Sequence, residues 1–203
     1  MNSFDKMPNK IAVDCRMLNK SGIGIYLKNL LYYWLQLPNI QWILIGRENE
    51  LITLPLNENC HIIECNIPIF SLKELVNFPT EEINKCDLFY SPNFNVPGGI
   101  NIPIYITIHD VVFLDFPELV NPLGLWIRRY MLKRAFKLAY KIFTVSEFSK
   151  QRIIYHLGNG KEIIVAYNGL RADLLNFTSE NVSRIYDFDY FLFIGNIKKY
   201  KGL

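Results

Sequence analysis

Eight short apolar runs punctuate the chain: IAVD (11–14), WILIG (42–46), HIIEC (61–65), DLFYS (87–91), IYITIH (104–109), KIFTV (141–145), EIIVA (162–166) and YFLFIG (190–195). They are rich in β-branched and aromatic residues, and few of them alternate apolar with polar. Near-continuous runs of this kind predict strands covered on both faces, as in a parallel sheet. Between several of them the period becomes helical. Ile23, Leu27, Leu30, Leu31 and Trp34 form one stripe that Pro38 ends. Thr80 precedes EEINKC and is expected to cap a helix whose first turn carries acids. A longer helix is predicted over 125–140, and another after Ser146 as N-cap, stopping with Gly158 at C′.

This alternation predicts a doubly wound, Rossmann-like α/β fold. The segment 171–189 is polar and lacks periodicity, so a boundary is expected there, with one domain over 1–185 and a second beginning at 186–203. The run YFLFIG and the short basic stretch after it read as the opening of a second α/β domain. The chain is therefore expected to be the front part of a two-domain architecture.

Composition narrows the picture further. The 203 residues are 50% hydrophobic and 20% charged, enough for a sizeable core and against disorder. A net charge of +3 does not by itself point to nucleic acid. Cys15, Cys60, Cys65 and Cys86 lack CxxC spacing and read as free thiols of a reducing cytoplasm. Neither a signal peptide nor a spanning helix is evident, so a cytoplasmic protein is expected and the sequons at Asn176 and Asn181 read as chance.

In open α/β sheets, ligands bind beyond the carboxyl ends of the strands, so the loops there are where chemistry is to be sought. The first is Ser21-Gly22-Ile23-Gly24, which runs into a helix. Glycines at a helix start can bring backbone N–H groups against a phosphate, and they can equally make a tight turn. Leu27 occupies the third glycine position of a dinucleotide fingerprint, no G-K-[ST] follows, and WILIGRENE supplies no clear ribose-binding acid. These absences count against a nicotinamide-dependent oxidoreductase. The second loop places His109 and Asp110 at the end of an apolar strand, where a histidine can bond a substrate or carry a proton, or be structural. The third, YSPNFNVPGG, offers Asn93 and Asn95 to sugar hydroxyls or to turn geometry.

The helix WIRRYMLKRAFKLAYK carries Arg128, Arg129, Lys133, Arg134, Lys137 and Lys141 and no acid. Arg128, Arg129, Lys133 and Lys137 could face an anionic membrane, or form a solvated face. Asp187-Phe188-Asp189 spells the D-x-D of metal-bound sugar nucleotides, but its interdomain setting favours a chance match.

Five segments, taken in order, resemble the retaining glycosyltransferases of family 4, of GT-B fold, and in particular the mannosyltransferase-like bacterial members that build O-antigen and other polysaccharides. They are VDCRMLNKSGIGIYLKNLL, YITIHDVVFLDFPEL, KRAFKLAYKIFTVSEFSKQRIIYHLG, EIIVAYNGL and YFLFIGNIKKYKGL. The resemblance implies transfer of a hexose, mannose from GDP-mannose, to a growing or lipid-linked glycan with retention, at the inner face of the cytoplasmic membrane. It implies no metal and no cofactor beyond the nucleotide-sugar, and no nucleic-acid partner.

The resemblance also assigns roles. Gly22 and Gly24 fall on the glycine loop facing the donor diphosphate, and His109 on the histidine near the reaction centre. Asp110 adjoins that histidine. Ser146 and Ser149 lie on a cleft-side segment, and Lys201 falls on a lysine that contacts donor phosphates. Asn196 stands where many members carry arginine. In the family the second domain binds most of the donor, so 1–203 alone is expected to be inactive. A non-catalytic remnant or membrane-associated domain of the same fold is the alternative.

Overall fold

The computed structural model describes residues 8–170 and 186–193. Seven of the eight apolar runs become strands: β1 Lys10–Asp14, β2 Gln41–Gly46, β3 Cys60–Glu64, β4 Leu88–Ser91, β5 Ile104–Thr107, β6 Lys141–Thr144 and β7 Ile163–Val165. They form one sheet in the order β3-β2-β1-β4-β5-β6-β7, and every pairing is parallel. The chain winds outward from β1 through β2 to β3, then returns to the other side of β1 for β4. That reversal places a topological switch point between β1 and β4, and all strand carboxyl ends share one edge.

The apolar runs lack alternation because both faces are covered. Along β1 to β5, alternate residues feed two separate cores. Ala12, Ile43, Ile45, Phe89, Ile104 and Ile106 point to one core, and Val13, Trp42, Leu44, Leu88 and Tyr90 to the other. The second core is closed by Leu27 and Leu31 of α1 (Ser21–Trp34), with Leu30 and Trp34 packed against it, all four from the predicted stripe, and by Leu35 just after the helix. The first is closed by Met131, Leu132 and Ala135 of α6 (Pro122–Leu138) and by Ile153 of α7 (Glu147–Leu157). Short helices α2 (Glu48–Leu51), α3 (Leu72–Val76), α4 (Thr80–Ile83) and α5 (Val112–Asp115) fill the connections.

Several boundaries differ from expectation. Thr80 is the first helical residue of α4 and makes no capping bond, because Pro79 occupies the N-cap position. α6 begins a turn earlier than 125. Asn121 caps it by accepting from the Gly124 amide at 2.7 Å, and Pro122 supplies a preset φ at the first position. Ser146 does cap α7, and Gly158 ends it at the C-cap with φ of 86°.

The chain forms two compact units, Met1–Gly169 and Leu170–Leu203. In the second unit, Tyr186, Phe188 and Tyr190 pack their rings together at 5.2–6.3 Å. Residues 190–193, expected to open an eighth strand, belong to no strand and are exposed. Apolar composition makes a strand only where a neighbouring strand and a packed face receive it. Asn176, Asn181, Asn196 and Lys201 lie outside the described residues. No helix among the described residues is long and apolar enough to cross a membrane.

Candidate functional site

The end of β5 is held by hydroxyls from two neighbouring elements. Thr144 of β6 donates through Oγ1 to the Ile108 carbonyl at 2.7 Å, and Ser149 of α7 donates through Oγ to the His109 carbonyl at 2.9 Å. Ser149 is placed in turn by Ser146, whose Oγ accepts from the Ser149 amide and lies 3.0 Å from the Ser149 hydroxyl. Ser146 and Ser149 therefore act on His109 through its backbone.

The His109 side chain is gripped as firmly. Its Nε2 lies 2.9 Å from the Pro92 carbonyl, an acceptor, so Nε2 carries the proton and Nδ1 has no hydrogen-bond partner among the described residues. The ring meets Tyr26 of α1 edge-on, with centroids 4.7 Å apart. Burial pushes the His109 pKa below its ordinary value, against opposing contributions from the Pro92 bond and the Asp110 charge. A neutral imidazole with a free Nδ1 can accept a proton or a hydrogen bond at that atom. Asp110 is exposed, and its Oδ1 accepts from the Val112 amide at 3.1 Å, starting α5.

Beside His109, three hydroxyls meet. Tyr90 lies 2.7 Å from Thr107, and Tyr26 lies 3.1 Å from Tyr90 and 3.2 Å from Thr107. Burial pushes the Tyr90 phenol well above its usual range, so it stays a neutral partner.

The two glycines at the start of α1 part company. A Cβ on Gly24 would stand 2.3 Å from the Leu18 carbonyl, and the Gly24 amide already donates to the Lys20 carbonyl at 3.0 Å. Gly24 is thus a close-packing residue whose N–H is spent within the helix. Gly22 has open space where a Cβ would be. The N-cap residue of α1, Lys20, gives no side-chain cap, and no acid stands in the first turn. The Gly22 and Ile23 amides therefore lack intrahelical acceptors at the positive end of a 14-residue helix. That end is an anion-favouring one, and Tyr26, one turn on, joins it to His109.

Asn93 and Asn95 sit inside the molecule. Asn93 Nδ2 reaches the Met17 sulfur at 3.5 Å, while Ser91 Oγ donates to the Asn93 carbonyl at 2.8 Å. Asn95 Nδ2 donates to Asp14 and Glu74. Both carboxamides face neighbours rather than solvent.

Sequence reasoning missed the charged cluster that Asn95 joins. Arg16, just past β1, is buried with Asp14 and with Glu74 of α3. Its Nη2 lies 2.6 Å from Asp14 and 2.5 Å from Glu74, its Nε donates to Asp14, and its Nη1 donates to the Ile67 carbonyl. The guanidinium also stacks over Phe78 at 4.6 Å. Charges at the end of the apolar β1 were a readable signal, whereas Glu74 gave none. Tyr26 was hidden too, because it sits beside an apolar stripe and looks like packing.

On α6, Arg128, Arg129, Lys133 and Lys137 are all exposed. Arg134 alone of the basic run turns inward, donating to the Val96 and Pro97 carbonyls and so pinning the loop after β4. No protein-family model and no curated protein matches the chain.

Proposed function

We propose that the chain is the acceptor-side half of a retaining GT-B glycosyltransferase, which transfers a hexose, mannose from GDP-mannose, to a glycan acceptor. The observation that carries this reading is the arrangement at the switch point. An uncapped helix N-terminus with an open Gly22 stands one turn before Tyr26, whose ring meets a buttressed, neutral His109. In this reading the first turn of α1 faces diphosphate charge, and His109 bonds or relays a proton near the sugar. Gly24 contributes shape only, and Ser146 and Ser149 position His109. Asn93 and Asn95 support the loop wall. The resemblance supplies the enzyme class, the donor and the need for a second, donor-binding domain in which Lys201 takes part.

The test joins a GT-B donor domain to this chain and supplies GDP-mannose with a lipid-linked glycan. Expected are mannosylated product and release of GDP, with the rate lowered about 10²–10⁴-fold by His109→Ala. An unchanged rate in that variant would remove His109 from the chemistry, and no product with any nucleotide-sugar would remove the enzyme class.

A second reading, peripheral contact of α6 with an anionic membrane, is favoured by one surface. Leu123, Trp126 and Tyr130 are exposed, the two rings stack at 6.1 Å, and the cations lie among them. Each basic residue near such a surface contributes about 1 kcal/mol. Co-sedimentation with phosphatidylglycerol vesicles should vanish when Arg128, Arg129, Lys133 and Lys137 are neutralised; wild-type chain that stays in the supernatant refutes this reading.

A further inference from the structure

Away from the switch point, α6 and α7 flank a hollow of about 170 Å³ lined by Leu114, Arg129, Leu132, Lys133, His156 and Leu157. Its walls combine an apolar floor with three nitrogen-bearing side chains, and nothing in the transfer reading uses them. Arg129 and Lys133 stand one helical turn apart, so both reach the same mouth. Neither forms an ion pair among the described residues. Their own helix offers them no partner, since the sequence has no acid between Glu118 and Glu147.

His156 is oriented by a neighbouring carboxylate. Asp115 accepts from His156 Nε2 at 2.7 Å and is bonded at the same time by Arg152. Those bonds hold the imidazole edge in place, and Nδ1 has no hydrogen-bond partner among the described residues. Asp115 is the acid that faces this corner, and the Arg152 guanidinium offsets its charge. The guanidinium is itself laid over Tyr155 at 4.4 Å. The balance at the mouth is therefore cationic.

We infer that the Arg129–Lys133–His156 hollow is a binding site for a phosphate group. A tetrahedral oxyanion presents several acceptors at once to a planar guanidinium fork and a mobile ammonium, and the P–O–H of its monoprotonated form can donate to His156 Nδ1 in the same volume. The site goes beyond both readings above. It requires neither a donor domain nor a membrane, and it differs from the α6 surface in using one residue from α7. The phosphate could be carried by a soluble phosphoester or by a lipid headgroup.

Inorganic phosphate is the first probe, followed by the His156 imidazole resonances in NMR spectra of the full chain. Saturable shifts are expected. Arg129→Ala and Lys133→Ala, both at exposed positions that leave the core intact, should each weaken the affinity by about tenfold, as loss of a charge-assisted bond implies. Lys137→Ala, which removes a cation of the same helix outside the hollow, should leave it unchanged. Absence of saturation, or an equal loss with Lys137→Ala, would overturn the site in favour of diffuse charge. Vesicles then separate the sources. Co-sedimentation with equimolar phosphatidylcholine and phosphatidic acid, lost in Arg129→Ala and absent with phosphatidylcholine alone, identifies a headgroup. Phosphate binding without co-sedimentation identifies a soluble phosphoester. Failure of the phosphate titration leaves the GDP-mannose assay untouched, because the two use different residues.

Discussion

β1 and β5 both run out into polar side chains at the same edge of the sheet, on either side of β4, and they finish in opposite states. Past β1, Arg16 meets two carboxylates, a backbone carbonyl and an aromatic face, and almost every donor is used. Past β5, His109 has its backbone and one nitrogen fixed while Nδ1 stays open, next to an uncapped helix terminus. A saturated cluster has nothing left with which to meet a ligand, and it serves as a strut. An unsaturated group on a rigid mount keeps bonding capacity in a fixed direction, which is what a site requires.

The largest way to break this contrast is Arg16→Ala. It strands Asp14 and Glu74 in the interior with only Asn95 and backbone amides as partners, and should lower stability by about 3–5 kcal/mol in urea unfolding. A loss below about 1 kcal/mol would mean that the cluster is not a strut. Gly24→Ala comes next. Its methyl group would press on the Leu18 backbone, and a loss of about 1–3 kcal/mol is expected. Gly22→Ala has room and gains helix propensity, so its unfolding midpoint should stay level or rise. If both variants fell alike, the structural distinction between the two glycines would be lost.

The smallest effect is one of pH. His109 titrates lower in the folded chain than its usual 6.5, so the native state binds the proton less readily than the unfolded state does. Its contribution is fully present above the unfolded value and is lost as pH falls through the folded one. Urea midpoints of wild type should therefore decline between about pH 7 and pH 5 more steeply than those of His109→Asn. Parallel slopes would show that the imidazole is not held neutral.

Much of the fold was legible because burial on both faces leaves a plain mark. A covered parallel strand has no polar alternation, and seven of the runs carried that mark into β1–β7. Residues 190–193 carry it as well and form no strand, since a run of apolar side chains records a wish for burial and not the presence of a neighbour. His109 was legible because an ionisable residue ending an apolar strand is unusual. Its tautomer was not, because the Pro92 carbonyl that sets it lies 17 positions away. Glu74, 58 positions from Arg16, was likewise invisible. Gly22 and Gly24 look alike in sequence, and only the path of Leu18 tells them apart.

The strand order has a consequence for how the molecule assembles. Every ladder but one joins strands that are consecutive along the chain, and the exception is β1 with β4, where Ile11 meets Leu88. Closing so long a span carries the largest chain-entropy cost among the ladders, so β1–β3 and β4–β7 are expected to dock after each half has formed. The ring contact between Tyr26 and His109 crosses that seam, as do the bonds from Asn95 to Asp14 and from Tyr26 to Thr107. A chain in which the halves have formed but not yet docked would carry native secondary structure and no site. The edge-on packing of Tyr26 against His109 would therefore report the docking of the two halves.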